Sequence, residues 1–416
     1  MTRFLPAVAV ALLWSITTVL WNWDGWKIDL SAIYYAAKSY GAGHLDLIYD
    51  ATERVVYNTP PQLWADWAAA DGWDVKEIVF TPYLYPPLWA ALLAPVAGRM
   101  DVETFYNVGL VANVAASVWM VWLGWQLVQP RRVIPLVWAV LGFGLLLITV
   151  VGYMIYWLGQ PQVIVSALML GSAVALSRGR EVNAGLLLGL ATALKLSPLL
   201  LAVLFVMEKR WKALAVFAAS GFVFGVVSLS VVGWPLHAEL LQKLQLVEER
   251  VLISRIIVSL ETVLFQLQEV VRGTADWTIA EPRQAMEPGW IAWVVRATML
   301  GLMGLTYWVT RDRPARTRIW MRFYLLVLVT LITNPLGWIH YMVLPFALLP
   351  AFYELYDKVR TTAIVLAIGL LYSMPIFIEA VLFDYTGFMQ IGVWISGCLV
   401  MIGMLVFARP VEQAAE

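Results

Sequence analysis

Long stretches without charged residues are the feature that most constrains this chain. Residues 104–130 and 133–177 contain no Asp, Glu, Lys or Arg at all. A bilayer core about 30 Å thick requires roughly 20 apolar residues per helix. Each of these stretches therefore predicts one or two helices that cross a membrane.

The composition supports lipid as the main solvent. Hydrophobic residues make up 61% and charged residues 13% of the chain, whereas soluble domains have about 45–50% and about 25%. The 28 basic and 28 acidic residues balance, so the chain offers no net positive charge for nucleic acid. A single cysteine, Cys398, excludes an internal disulfide and a Cys-based metal site.

The apolar stretches predict one all-α, polytopic domain that covers residues 1–416 and has about twelve transmembrane helices. The first stretch is expected to remain as a helix, because no clear signal-peptide cleavage site follows it. The predicted spans are 4–23, 86–98, 104–130, two within 133–177, 183–207, 213–234, 289–310, 319–334, 341–356, 361–379 and 385–408.

Lys and Arg in short loops predict the orientation, since such loops stay cytoplasmic. The basic clusters at 209–212 and 311–318 are expected inside. The first long segment (residues 24–82) and the second long segment (about 237–288) then lie together on the outer face. The functional residues are therefore expected on this outer face.

Two pairs of arginines conflict with this orientation if every candidate crosses once. They are Arg131-Arg132 and Arg178 with Arg180. One solution is that 86–98 dips into the membrane without crossing and 183–207 folds as a hairpin at Lys195. The other is that these arginines lie outside.

Both long segments contain amphipathic patterns, which predict helices lying in the membrane interface. In the first long segment the apolar face consists of Leu63, Trp64, Trp67 and Ala68. In the second it consists of Leu240, Leu244, Val247, Val251 and Val258.

Lys195 is the clearest ionisable residue within an apolar region, where charge is costly. It lies between two uncharged runs and shortly before Pro198, which breaks the helix and frees backbone carbonyls. Lys195 is expected either to hold an anion or to reach the interface as a structural charge.

Two further residues have both a functional and a structural interpretation. Asp29 follows the first span, where it is either a general base for a hydroxyl or a charge paired with Lys27 or Lys38. His340 lies at the junction of two apolar runs and has no other histidine at ligand spacing. A lone histidine is usually structural, so the pattern alone leaves its role open.

No Gly-rich phosphate loop, Gly-x-Ser-x-Gly elbow or His-Glu-x-x-His motif is present. Three classes remain: a membrane enzyme, a polytopic secondary transporter, and a lipid-binding membrane protein without catalysis. The chain shows no internal repeat, and its two longest loops share one face. Both features disfavour a transporter.

Six short motifs occur in an order that resembles glycosyltransferase family 87. They are Asp29 with Tyr34-Tyr35, Leu47-Ile48-Tyr49-Asp50, Tyr85-Pro86-Pro87, Gly159-Gln160, the run 184–191 leading to Lys195, and Trp338-Ile339-His340-Tyr341. The resemblance covers about residues 20–345. It implies a GT-C fold and a mannosyltransferase that uses a polyprenyl-phosphate sugar.

The resemblance also implies roles for individual residues. The catalytic aspartate of that family falls on Asp29, and His340 is expected in the active site. A base on the acceptor hydroxyl and positive groups on the phosphate are needed for inversion, so Lys195 and a protonated His340 are expected at the phosphate. Tyr35, Tyr85, Gln160 and Asn334 are candidate sugar ligands or interface anchors.

This scheme needs no metal or other cofactor, because Lys195 and His340 supply the positive charge. The expected partners are the lipid bilayer, the polyprenyl-phosphate donor and a glycolipid or glycan acceptor. The expected location is a bacterial plasma membrane, with the active site on the outer or periplasmic side. The sequence does not identify the acceptor.

Overall fold

A computed structural model describes residues 2–49, 60–275, 282–382 and 387–408 and confirms the all-α fold. The helices are α1 Leu5–Asn22, α2 Ile28–Ala42, α3 Gln62–Ala70, α4 Leu88–Ala97, α5 Val102–Val128, α6 Pro135–Ile148, α7 Val150–Leu158, α8 Gln162–Ser177, α9 Glu181–Leu194, α10 Val203–Met207, α11 Trp211–Glu248, α12 Leu260–Arg272, α13 Gly289–Thr310, α14 Ala315–Ile332, α15 Val343–Leu348, α16 Lys358–Leu371, α17 Met374–Leu382 and α18 Gly387–Val406. Five short 3₁₀ helices (Thr2–Phe4, Leu45–Leu47, Ser197–Ala202, Ile339–Met342 and Leu349–Glu354) and one antiparallel pair, β1 Arg250–Ile253 and β2 Arg283–Met286, complete the described elements.

The number of long apolar helices is smaller than predicted. Four helices of the described chain are long and apolar enough to cross a membrane, namely Thr2–Asn22, Val102–Val128, Trp211–Glu248 and Gly289–Thr310. The pair α7 and α8 makes a fifth if it forms one span bent by 116°. The chain is thus an integral membrane protein, but the predicted twelve spans are not confirmed. Several predicted spans are instead short helices separated by breaks.

The region 183–207 is a hairpin, as one of the two predicted arrangements required. Helix α9 ends at Leu194, Lys195 is extended, and the chain returns through the 3₁₀ helix Ser197–Ala202 and α10. Arg210 forms a salt bridge of 3.3 Å with Glu181, so the two ends of the hairpin lie side by side. Lys195 therefore lies at its tip.

The segment 86–98 also begins and ends near the first long segment. Before it, the Tyr85 carbonyl accepts a hydrogen bond from Tyr49. After it, the Met100 carbonyl accepts one from Tyr34 of α2. This short helix therefore packs beside the first long segment, and its re-entrant course in the membrane stays a prediction.

Polar contacts between distant segments hold the basic loops in place. The backbone N–H groups of Arg131 and Arg132 donate to Glu354, and Arg178 donates to Gln126 at the end of α5. The buried Glu208 pairs with Arg318 and Arg322 at 2.9 and 2.8 Å. These contacts join α10 to α14 and place the basic clusters on one face.

The first long segment packs on the protein instead of exposing an apolar helix face to lipid. The predicted helix is confirmed as α3, but its Trp64 and Ala68 are buried in a cluster with Tyr35 of α2. The Trp64 indole donates to Ser39 at 2.8 Å. Because these faces cover each other, α3 does not present its apolar side to a membrane.

The helix predicted through Val258 in the second long segment is wrong beyond Glu248. Val251 belongs to β1, and the Val258 N–H bonds to the Gly337 carbonyl. Both side chains are fully buried. A spacing of three to four residues also fits apolar residues that point inward from a strand and a loop. The spacing therefore does not distinguish this arrangement from a continued helix. Residues 50–59 and 276–281 of the two long segments, including Asp50, lie outside the described part.

Gly159 joins the broken helix pair to the first long segment. It has a φ of +71°, and a Cβ added there would lie 2.8 Å from Lys27 Cβ and 2.9 Å from Leu30 Cδ1. Only glycine fits both the left-handed backbone and the close approach. Gly159 therefore sets the distance between α2 and the start of α8.

Gly159→Ala is expected to destabilise the protein by about 2 kcal/mol or more, because it adds backbone strain to a steric clash. Gly144→Ala is the matched control, since its added Cβ meets nothing within 4 Å and lies inside α6. Thermal unfolding of both variants in detergent, followed by tryptophan fluorescence, measures the difference. Equal midpoints for the two variants would contradict this role of Gly159.

Candidate active site

A cavity of about 490 Å³ brings together six of the seven predicted site residues. They come from α2, from the segment before α4, from the break between α7 and α8, from the tip of the α9–α10 hairpin and from the segment between α14 and α15. These six residues are Asp29, Tyr85, Gln160, Lys195, Asn334 and His340. Residues more than 300 positions apart in sequence thus share one site.

Asp29 lies in the first turn of α2, where its carboxylate accepts hydrogen bonds from two side chains. Gln160 donates through Nε2 to Asp29 Oδ2, and Thr81 donates through Oγ1 to Asp29 Oδ1 at 3.2 Å. The Gln160 bond depends on the left-handed turn at Gly159, which ends α7 and aims the next residue at α2. The fixed carboxylate lies on the cavity wall, where it is available to a substrate.

The surroundings of Asp29 retain its proton to a higher pH than usual. Burial raises the pKa of its carboxyl to about 6. The Gln160 hydrogen bond, the Lys195 charge and the Thr81 hydrogen bond oppose this shift but do not cancel it. A carboxylate with a pKa nearer to neutral is better matched to general-base work.

Lys195 faces the same cavity from the tip of the α9–α10 hairpin. Its Nζ lies 4.1 Å from the centroid of the Tyr341 ring and 5.9 Å from that of Tyr85. Among the described residues, no hydrogen bond or salt bridge occupies this ammonium. Aromatic rings hold a cation without neutralising it, so the charge remains available to an anion.

His340 is positioned by the second long segment. The Ile339 N–H bonds to the Ile256 carbonyl at 2.9 Å, and the Val258 N–H bonds to Gly337, whose added Cβ would lie 2.6 Å from Val258 O. This pairing fixes the turn before the 3₁₀ helix that carries His340. The ring is only 2% exposed, yet neither nitrogen has a hydrogen-bond partner among the residues that the structure describes.

The surroundings of His340 disfavour the protonated form that the sequence analysis expects. Burial lowers the pKa of the ring well below its usual value, and the Lys195 charge lowers it further. A neutral imidazole still donates one hydrogen bond and accepts one. His340 can therefore bind a phosphate oxygen without carrying charge.

The remaining predicted residues occupy different positions. Tyr85 and Asn334 line the cavity, although Asn334 Oδ1 also accepts the Leu336 N–H at 2.9 Å and so holds its own turn. Tyr35 is fully buried outside the cavity, stacked on Trp64 and Trp67. The structure does not bring Tyr35 to the other six.

The structure adds site residues that sequence reasoning missed. Thr81 binds Asp29, and Tyr341 lies beneath Lys195, although only Tyr341 had a sequence signal because it follows His340 in a motif. Glu261, Glu287 and Arg296 also line the cavity. No sequence spacing connects these three with Asp29, since they lie in the second long segment and in α13, more than 200 residues away.

The donor set does not resemble a metal centre. Within the part of the chain that the structure describes, no group of three or more His, Cys, Asp or Glu side chains is placed to hold a metal ion. Asp29 is accompanied by an amide, a hydroxyl and an ammonium. This set suits hydrogen bonding and proton transfer.

The comparison with known families agrees with the sequence resemblance. The model of glycosyltransferase family 87 matches residues 83–335, which is more than half of the chain. The matched region contains Tyr85, Gln160, Lys195 and Asn334. No curated protein matches the chain. The extent of the family match shows that this integral membrane protein belongs to glycosyltransferase family 87.

Proposed function

We propose that the protein transfers a sugar from a polyprenyl-phosphate donor to a hydroxyl of a glycolipid or glycan acceptor, with inversion at the transferred carbon. The observation that carries the proposal is the shared cavity of Asp29 and Lys195, a fixed carboxylate and an ammonium that forms no salt bridge within the described part of the chain. The family resemblance suggests mannose as the sugar. Membership of a glycosyltransferase family favours this reaction over transport or passive lipid binding.

The proposed step needs one base and one anion-binding site. The acceptor oxygen forms a bond to the sugar's anomeric carbon while the carbon–oxygen bond to phosphate breaks, and the bonding pair leaves with the phosphate. The acceptor proton passes to the Asp29 carboxylate. Lys195 and a donated hydrogen bond from His340 stabilise the charge that develops on the leaving phosphate.

The apolar wall of the cavity suits a lipid-linked donor. Leu196, Leu199 and Met299 line it together with the polar groups, and Leu199 is 53% exposed at the surface of the protein. The cavity therefore borders a surface that an isoprenoid chain can occupy in the membrane. A polyprenyl tail there would leave its phosphate beside Lys195.

Asp29 and Lys195 are expected to affect different kinetic constants. Asp29→Asn removes the proton acceptor but keeps the shape, so kcat should fall by about 10²–10⁴ with donor binding nearly unchanged. Lys195→Met should instead weaken binding of both the donor and free polyprenyl phosphate, because each carries the phosphate.

In the wild type, kcat/KM should fall as the pH drops through about 6, where Asp29 becomes protonated.

Two exposed residues supply matched controls for these variants. Asp46→Asn makes the same change on the first long segment, and Lys212→Met makes it in a basic loop. Both should retain full turnover and donor binding. If Asp29→Asn keeps more than about a tenth of wild-type turnover, Asp29 is not the general base.

The donor itself is expected to be lipid-linked. Purified protein should transfer mannose from polyprenyl-phosphate mannose in detergent, and EDTA should leave the rate unchanged because the scheme uses no metal. Chromatography of a radiolabelled product measures the transfer. Transfer from GDP-mannose by protein free of other enzymes would contradict the proposal.

The site is expected to face the outside or periplasm of a bacterial plasma membrane, because basic loops remain cytoplasmic. In a Cys398→Ala background, a cysteine at the exposed Thr274 should react in intact cells with a maleimide that cannot cross the membrane. One at the exposed Ala315, beside the basic cluster, should react only after lysis. The reverse labelling pattern would invert the orientation.

A further inference from the structure

The cavity has a second polar wall that the proposed transfer step does not use. Glu248 from α11, Glu261 from α12, Glu287 after β2 and Arg296 from α13 line it. Glu248 pairs with Arg296, and both side chains are more than half exposed. Among the described residues, Glu261 and Glu287 form no salt bridge, although the Arg296 charge acts on Glu287.

Glu261 is the unusual member of this wall. It is 4% exposed, yet no hydrogen bond or salt bridge to a described residue occupies its carboxyl group. Burial, together with the negative charge of Glu287, raises its pKa to about 8. A buried carboxyl group without a partner is costly, so its place on a cavity wall indicates a ligand.

A structural role in α12 does not account for this position. Glu261 lies in the first turn of the helix, where an acidic residue interacts favourably with the helix dipole. That interaction is equally available to an exposed side chain and does not require burial. The neighbouring Thr262 already fixes the helix start by donating to the Leu252 carbonyl at 2.7 Å.

The chemistry of this wall suits hydroxyl groups. A carboxyl group accepts hydrogen bonds through both of its oxygens and, when protonated, donates one through its O–H, so it can bind hydroxyl groups in either form. A metal ion is disfavoured, since no third acidic or histidine ligand joins the pair among the described residues. The wall faces the same space as Asp29, the proposed base.

We infer that Glu261, supported by Glu287, forms the acceptor subsite and binds hydroxyls of a polyhydroxylated headgroup such as a sugar ring. This inference rests on the proposed function. The acceptor would lie between the second long segment and Asp29, while the donor phosphate lies at Lys195. Glu261 thus binds the acceptor without taking its proton.

The test measures binding, so it does not depend on turnover. Full-length protein in phosphatidylcholine nanodiscs, prepared without glycoside detergents, is titrated with radiolabelled n-octyl α-D-mannoside, and empty nanodiscs correct for partition into lipid. Glu261→Gln should raise the dissociation constant about tenfold, because the amide replaces one of the two carboxyl oxygens with an NH₂ group that can only donate. Glu287→Gln should have a smaller effect in the same direction.

Glu269→Gln is the matched control, because Glu269 lies on the same helix and pairs with Arg283 outside the cavity lining. It should bind the mannoside as the wild type does. Polyprenyl phosphate should bind equally to wild type and Glu261→Gln, which also shows that the variant is folded. Octanol should not compete with the mannoside, since it has the tail without the polyol.

Each outcome has one meaning for the acceptor subsite. Unchanged mannoside binding in Glu261→Gln, or a wild type that binds polyprenyl phosphate but no mannoside, overturns it. Equal loss of both ligands in Glu261→Gln also overturns it. Mannoside binding that depends on Glu261, without any binding of polyprenyl phosphate, would support the subsite and contradict the proposed donor.

Discussion

The hydrogen bond from Gln160 to Asp29 is the contact on which the rest of the site depends. It joins a break within the apolar body to the first helix of the first long segment. The bond forms only because Gly159 lets α7 end in a left-handed turn in close contact with Lys27 and Leu30. A carboxylate placed this far from bulk water needs such fixed donors to remain useful as a base.

The cost of burying unpaired polar groups also explains why the helices are short where the sequence predicted long spans. Non-helical backbone is tolerated at membrane depth only where protein buries it or a cavity receives it. The chain is interrupted at Gly159, at Lys195 and between Asn334 and Ile339, and residues from all three breaks line one cavity. The interruptions therefore belong to the site, and they shorten the helices on either side.

Sequence reasoning predicted the all-α class, the hairpin alternative at Lys195 and six cavity residues, because charge in an apolar run marks Lys195 and the family motifs mark most of the others. It did not predict Thr81 or Glu261, whose roles arise from contacts with distant segments. It also placed the apolar faces of both long segments against lipid. Trp64 and Val251 are buried within the protein instead, and periodicity alone cannot say what covers an apolar face.

The two polar walls of the cavity differ in charge. This difference determines which wall each of the two proposed substrates contacts. Lys195 and His340 lie on the wall built from the helix breaks, where a phosphate finds a positive charge and a donor. The other wall holds Glu261 and Glu287, which can form hydrogen bonds with hydroxyl groups, and the Arg296 on it is paired with Glu248. A donor bound in reverse would place its phosphate against two carboxyl groups. Asp29 faces the same cavity and is held by Gln160 and Thr81, so in the proposed step it can accept the acceptor's proton.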